Sequence, residues 1–468
     1  MDLFSSPVLI SFVLTIFTNF LVCAFAGEAG EGILPKDDGY RGVWYSIGNF
    51  PEEFKFKYSG GLATYPQQHI PLAYYSREAN KTFFCYGGSP RRTNELLMMV
   101  SYYDHATGKF PRPTILLNKK TTDAHDNPTL LLDDKGFIFI FSNSHGGARP
   151  SYIHKSKKPY SIDSFEKVME DRFSYSQPKY IPGKGFLFLH TRYKGGRTLY
   201  WMTSRDGISW SEPSRLSQMQ QGHYQTSGRQ GNLVGTAFNY HPKKGGLDAR
   251  TNLYYLETRD FGESWAVASG EKINPPLLKP DTKALVHDYK SEGLLVYVKG
   301  LEFDDKGHPV ILFLTSKGSK PGAENAPHTW RTAAWNGERW EIDPVTTSDH
   351  NYDFGSFYIE EDGTWRIIAP TEKGPQPYGT GGEVALWISR NRGKSWNKEK
   401  QLTHNSVMNH TYVRKPENAH PDFYAFWADG HARQLSHSSL YFTDKNGDHV
   451  WRLPPYIGGD FGDAEIAW

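Results

Sequence analysis

The sequence predicts an all-β chain folded as a seven-bladed β-propeller, and three observations carry that prediction. Beyond the first 26 residues the chain is a series of short alternating or aromatic runs separated by Gly, Asp, Asn and Pro, with no sustained helical apolar period. These runs return every ~50–60 residues, a blade spacing rather than a solenoid spacing. Several hairpins also end in one turn signature, S/T-x-D-x-G-x-x-W. The composition agrees: 15% aromatic residues with 45 Gly and 29 Pro suit many short strands joined by tight turns, and exclude a helical bundle or a disordered chain.

The N-terminal element comes first. Val8 to Phe25 is almost uninterrupted apolar sequence, followed by the small-x-small site Ala24-Phe25-Ala26. Residues 1–26 are therefore expected to be a signal peptide, with 27–468 a single propeller domain, secreted or periplasmic. Of two cysteines, Cys23 falls in the signal, leaving Cys85 alone, with no internal disulfide and no Cys-rich zinc cage. Lys and Arg total 53 against 51 Asp and Glu, so no global field exists for nucleic acid, and any polyanion must be met locally.

Seven polar or aromatic openings mark the innermost strands. In order they are Ala63–Pro66, Ala124–Asn127, Tyr175–Pro178, Gly222–Gln225, Val286–Asp288, Asp349–Tyr352 and Asn409–Tyr412. Apolar strands follow them, among them Phe137–Ser142, Gly185–His190, Leu233–Asn239, Pro309–Thr315, Trp365–Ala369 and Phe423–Trp427. Closing such repeats into a ring reduces the liability of two open sheet edges. The turn signature is complete in Thr258–Trp265, has Asn for Asp in Ser389–Trp396, and is one residue shorter in Ser204–Trp210. There the Asx side chain caps a turn, Gly takes a positive φ, and Trp packs between blades, so these turns are scaffold.

Strand openings in a propeller line a common funnel, and five of the seven contain His. His125 and His145, on either side of the second blade's hairpin, are expected to face each other at one rim. Tyr175 and Arg192 join them from the third blade, a group with no acidic partner in the motif. A glycosidase would need two carboxylates. A β-eliminating lyase needs a cation beside a uronate carboxylate, a neutral base for the C5 proton and an acid for the leaving oxygen, roles open to Arg, His and Tyr. Asn127, Gln177, His223, Tyr224, Asn409 and His410, at the openings, are the expected substrate-binding residues.

The motifs Gly60–Pro66, Asp123–Pro128, Ser142–Gly146, Gly381–Glu383, Asn409–Pro416 and Phe426–Gly430 resemble those of the BNR-repeat family of seven-bladed, sialidase-like propellers that includes ulvan lyases. The resemblance covers nearly all of the chain after the signal. It implies a polysaccharide lyase acting on a uronate-containing, sulfated, ulvan-like polysaccharide, with His125 and His145 in the two histidine places. Tyr175 and Arg192 match the tyrosine and the carboxylate-neutralising arginine. Tyr224 competes for the tyrosine place, in a register offering no arginine near Asn239 and Tyr240. The distribution of base and acid among His125, His145 and Tyr175 stays open.

The family can carry a structural zinc or calcium ion, whose ligands are unmapped; His287, His350 and His410 could converge near the axis, although hydrogen-bonded histidines fit better. The chemistry itself requires no cofactor. The expected partner is an anionic polysaccharide, with no nucleic acid, no membrane after signal cleavage, and a monomeric state. Two alternatives stand beside the lyase: a non-catalytic glycan-binding propeller, and a sialidase-like hydrolase recruiting Arg41, Arg192 and Arg414 around a carboxylate.

Overall fold

The computed structural model describes residues 33–468, so the segment 1–26 expected to be a signal peptide, and Cys23 within it, lie outside the described residues. Seven antiparallel sheets follow one another in chain order as the blades of a propeller, and a two-stranded hairpin, Trp44–Asn49 with Phe56–Gly61, stands apart from them. The innermost strands are Ala73–Ser76, Pro128–Leu132, Ser174–Ile181, Gln225–Gln230, Leu295–Phe303, Ser356–Ile359 and Asn409–Arg414, for blades one to seven.

Burial explains the layering within a blade. Second strands such as Leu233–Tyr240 and Pro309–Ser316 are buried along their whole length between neighbouring blades, and so are almost continuously apolar or aromatic. The outermost strand of blade six, Asn397–Gln401, is almost entirely exposed and correspondingly charged. Neighbouring blades pack closely: a Cβ at Gly228 on the inner strand of blade four would stand 2.3 Å from the Leu301 carbonyl of blade five, so only glycine fits there.

The Asp-box-like turns behave as their chemistry requires. Asp260 Oδ1 accepts the Ser264 amide at 2.9 Å, Thr258 Oγ1 accepts that of Gly262 at 2.9 Å, and Gly262 has φ +89°. The Trp265 ring is buried with its centroid 5.4 Å from that of Trp201 in blade three. Asn391 substitutes for Asp in blade six, accepting the Ser395 amide at 3.0 Å. In the shortened turn Asp206 Oδ1 takes both the Ile208 and Ser209 amides at 2.8 Å.

One expected opening is displaced. Leu285–His287 pairs with Leu253 and Tyr254 of blade four rather than starting blade five, and His287 is half-buried with its Nε2 2.5 Å from Glu292. Blade five begins instead at Leu295–Phe303, whose Lys299 is buried at the axis. The ring closes at its rim. Phe461–Asp463, near the C-terminus, pairs with Lys109–Pro111 at the outer edge of blade one. The Tyr40 amide donates to Pro454 O at 2.9 Å, tying the start of the described chain to the same seam.

Candidate functional site

Asp123 organises the most unusual cluster in the funnel. It N-caps the 3-10 turn Ala124–Asp126, and its Oδ1 accepts the His125 amide at 3.0 Å. The same Oδ1 lies 2.6 Å from His125 Nδ1, while Oδ2 lies 2.7 Å from His145 Nδ1. The two imidazoles stack with centroids 3.9 Å apart and planes 13° from parallel. The expected pairing of these histidines is therefore present, but around an acidic residue that the sequence reading left out. An Asp two residues before a His, at a turn start, was the available signal.

The two imidazoles differ in access. His125 is buried, and Tyr58 and Tyr65 both bring their hydroxyls to its Nε2, Tyr58 at 3.0 Å. Burial, followed by the neighbouring His145, pushes His125 down to about 4, against the attraction of Asp123, so it is neutral at neutral pH. Burial opposes the charge on Asp123, yet His125 and His145 hold its carboxyl well below the usual carboxylate range. His145 is a quarter exposed, and among the described residues its Nε2 has no hydrogen-bond partner. With Nδ1–H committed to Asp123, that nitrogen presents a lone pair to the funnel.

Tyr175 enters from blade three through an irregular inner strand. The pairing register shifts between Ser174 and Gln177, and Tyr175 adopts φ +53°, a left-handed conformation unusual for a bulky residue. Tyr412 in blade seven repeats the device, with φ +49° beside a shift between Thr411 and Arg414. Tyr175 lies edge-on to Tyr224 at 5.3 Å, and its hydroxyl is 3.3 Å from that of Tyr193. Burial raises the Tyr175 phenol well above its ordinary value.

Arg192 is elsewhere. Strand alternation turns Tyr193 toward Tyr175 and Arg192 to the other face, where its guanidinium pairs bidentately with Asp171, Nη1 to Oδ1 at 3.1 Å. Arg197 and Arg250 occupy the funnel instead. Arg197 opens the third strand of blade three, and Arg250 immediately precedes the third strand of blade four, so both sit at equivalent places in consecutive blades. Arg197 lies 5.1 Å from the Tyr193 ring centroid and 5.6 Å from that of Tyr224. Arg250 lies 4.7 Å from Tyr224 and 4.8 Å from Tyr297. Neither has a carboxylate partner among the described residues. Burial pushes the Tyr224 phenol up, but Arg197 and Arg250 outweigh it and bring it below the ordinary tyrosine value.

Five of the six expected substrate-binding residues are consumed by the scaffold. Asn127 Nδ2 donates to the Leu62, Ala63 and Tyr65 carbonyls, and Gln177 Nε2 donates to those of Gln68 and Gln225. His223 Nδ1 donates to Asn239 O at 2.8 Å and its Nε2 accepts the Met219 amide at 3.0 Å. Asn409 Nδ2 donates to Gln376 O and Thr380 O, and His410 Nδ1 accepts the Trp427 indole N–H at 2.9 Å. Buried polar groups at blade openings bridge the backbone there, which is why they recur. Tyr224 alone of the six belongs to the arginine–tyrosine group.

The hairpin of residues 44–61 supplies walls that no blade motif announces. It brings Tyr58 over Tyr352, ring centroids 4.8 Å apart, sets Tyr45 edge-on to His125 at 5.7 Å, and carries Lys57 to 5.8 Å from the Tyr352 ring. His241, buried with neither ring nitrogen hydrogen-bonded, stands 4.9 Å from the Tyr224 ring. The arginine set proposed for a sialidase-like site does not assemble. Arg414 donates to four backbone carbonyls including Thr64 O and His69 O, Arg41 pairs with Asp37 and Asp38, and Arg192 with Asp171.

The Asp123, His125 and His145 atoms lie close enough together to suggest a metal centre. Their hydrogen bonding argues otherwise, because each Asp123 oxygen already accepts an imidazole N–H. The convergence of His287, His350 and His410 considered from sequence is also absent: His287 is at a blade edge, and His350 Nδ1 accepts the Tyr352 amide at 3.0 Å.

Known proteins share sequence and fold with this chain. An ulvan lyase of Nonlabens ulvanivorans is 24% identical over 341 residues, 65% of this chain and 70% of that protein. One of Alteromonas sp. (strain LOR) is 23% identical over 375 residues, covering 69% and 74%. A solved ulvan lyase, described as a new family of polysaccharide lyase, superposes with a TM-score of 0.70 at 18% identity, over 87% of this chain and 96% of that one. It has also been solved bound to -[GlcA(1-4)Rha3S]-. Residues 72–348, the first five blades, match the model of the BNR repeat-containing family, and the chain belongs to that family.

Proposed function

We propose that this protein is a polysaccharide lyase that cleaves a uronate-containing, sulfated polysaccharide by β-elimination. The observation that carries the reading is the pair of funnel arginines, Arg197 and Arg250, held among tyrosines without a carboxylate of their own. A buried cation, Arg250, and a half-buried one, Arg197, both lacking anionic partners, are prepared for an anionic ligand, and Arg forks onto a carboxylate. The ulvan lyases among its relatives, and the glucuronate-containing ligand of the solved one, agree with that class of substrate.

In this reading Arg197 meets the uronate carboxylate and withdraws charge from C5, making its proton acidic. His145 is the base: Asp123 fixes the tautomer in which Nε2 carries the lone pair. His125 holds His145 by stacking and shares its carboxylate. Tyr224, whose phenol is made more acidic by the two arginines, protonates the leaving glycosidic oxygen. The C5–H pair forms the C4–C5 double bond as the C4–O bond breaks. Tyr175, kept protonated by burial, stands edge-on to Tyr224 and walls it, while solvent takes the C5 proton from His145 and returns one to Tyr224 to close the cycle. The apolar segment at residues 1–26 supports export to where such polysaccharides are met.

The test is incubation of residues 27–468 with ulvan and other uronate polysaccharides, following the ultraviolet absorbance of the unsaturated uronate end. A rise lost in His145→Ala supports the reading. Reducing ends without absorbance would replace it by hydrolysis, and saturable binding without product by a glycan-binding propeller.

A further inference from the structure

We propose that His105, His420 and Asp422 form a divalent-cation site, suited to zinc, that clasps blade one to blade seven. His105 follows the third strand of blade one, Leu97–Asp104, whereas His420 and Asp422 lie on the turn before Ala425–Gly430 of blade seven. The three are far apart in sequence, and the closing of the ring alone brings them together. Each offers one ligand atom, and these atoms all lie within 4.8 Å of one another.

The hydrogen bonding leaves one nitrogen of each imidazole free. His105 Nε2 is 2.8 Å from the Thr82 hydroxyl, which can accept the ring N–H. Its Nδ1 is buried with no hydrogen-bond partner, and in that tautomer it carries a lone pair. An imidazole oriented through its outer nitrogen, with the inner one unsatisfied, is the arrangement of a metal-bound histidine. His420 Nδ1 accepts the Asp422 amide at 3.2 Å, which leaves its Nε2 available. The two imidazoles stand with centroids 3.9 Å apart. Tyr75 walls both, 5.2 Å from the His105 ring and 4.8 Å from that of His420. Asp422 adds an exposed carboxylate, 3.7 Å from His420 Nδ1.

Two nitrogens and one oxygen suit zinc, with water completing four-coordination. This is the set among the described residues whose donors remain uncommitted; in the Asp123 cluster they do not. Its place implies a structural task. At the same seam the Tyr75 amide donates to Glu417 O and the Glu417 amide to Ala73 O, both at 2.9 Å. A cation here would add a bond across a junction that backbone hydrogen bonds already stitch, independently of any chemistry in the funnel.

The experiment uses the full mature chain, stripped with chelator and titrated with Zn²⁺, reading metal content and the thermal midpoint. The expected result is one zinc per chain and a midpoint raised by about 2 °C or more. His420→Ala and Asp422→Asn should each weaken uptake roughly tenfold or more. Asp422→Asn changes an exposed, isosteric side chain and keeps the test open if His420→Ala folds poorly. His125→Gln should bind zinc as the parent does. No uptake by the parent, uptake undiminished in both seam variants, or loss of uptake in His125→Gln would each overturn the proposal.

Discussion

His125 and His145 lie face to face, centroids 3.9 Å apart, and donate their Nδ1 protons to different oxygens of one carboxylate, Asp123. The pair is thus a single unit in which one imidazole is buried and saturated and the other is open to the funnel. Removing the shared acceptor should disable both. Asp123→Asn is expected to lower kcat by about 10²-fold or more while KM moves little, because the amide can no longer accept from both rings. Steady-state kinetics on the polysaccharide check this; an unchanged kcat would remove His145 from the role of base.

Arg197→Ala should reduce kcat/KM by about 10²–10³-fold, the usual effect of losing a preorganised charge donor. Arg197→Lys should recover part of it, since a point charge replaces a fork. Arg192→Ala should leave turnover near that of the parent and affect only stability, because its guanidinium is engaged by Asp171. The two alanine variants, compared by turnover and thermal midpoint, separate the arginine of the chemistry from the arginine of the scaffold.

The charge around Tyr224 predicts a shift in pH profile. A proton-donating phenol must be protonated, and Arg197 and Arg250 lower its pKa, so activity should fall on the alkaline side earlier than for an ordinary tyrosine. Arg250→Gln removes one of those cations and should move the alkaline limb of kcat to higher pH. Tyr224→Phe should abolish turnover. An alkaline limb that stays in place in Arg250→Gln would mean another group sets it.

Buried histidines should make the fold acid-labile. Burial lowers His125, His154, His223 and His328 to about 4, and His190 and His410 to about 3, from an ordinary value of 6.5. The unfolded chain therefore takes up these protons first as pH falls. Stability is full above about 6.5 and is lost on descent toward 4, by up to ~1.4 kcal/mol per histidine per pH unit. Thermal midpoints at pH 7.5, 6 and 5 should decline in that order; a flat series would contradict it.

The turn at Gly262 offers a scaffold control. Its φ is +89°, and a Cβ there would stand 2.8 Å from the Trp201 indole nitrogen. Gly262→Ala should lower stability by about 1–3 kcal/mol, measured by denaturant unfolding, without changing kcat.

The fold was largely legible because its signals are local and repeated: apolar second strands and polar openings return from blade to blade, and Asp-box turns close hairpins of blades three, four and six. The candidate site was legible only where a motif spans one hairpin, as His125 and His145 do. The openings misled in one respect, since Asn127, Gln177, His223, Asn409 and His410 recur for backbone reasons. Arg197 and Arg250 escaped notice because they sit on third strands, and their meeting over Tyr224 depends on the twist between two blades. Tyr58 arrives on a hairpin outside the repeat altogether. Arg192 illustrates the sharpest limit, for a single residue of strand register decides which face of the sheet it shows.

The pairing of Phe461–Asp463 with Lys109–Pro111 bears on biosynthesis. The edge of blade one is made early, but its covering strand emerges from the ribosome roughly 350 residues later, about 20–70 s at ~5–20 residues per second. Throughout that interval the nascent chain carries an uncapped strand able to pair with a neighbour. Export before folding would defer that exposure until translation is complete, and a chain shortened by its last eight residues would carry it permanently.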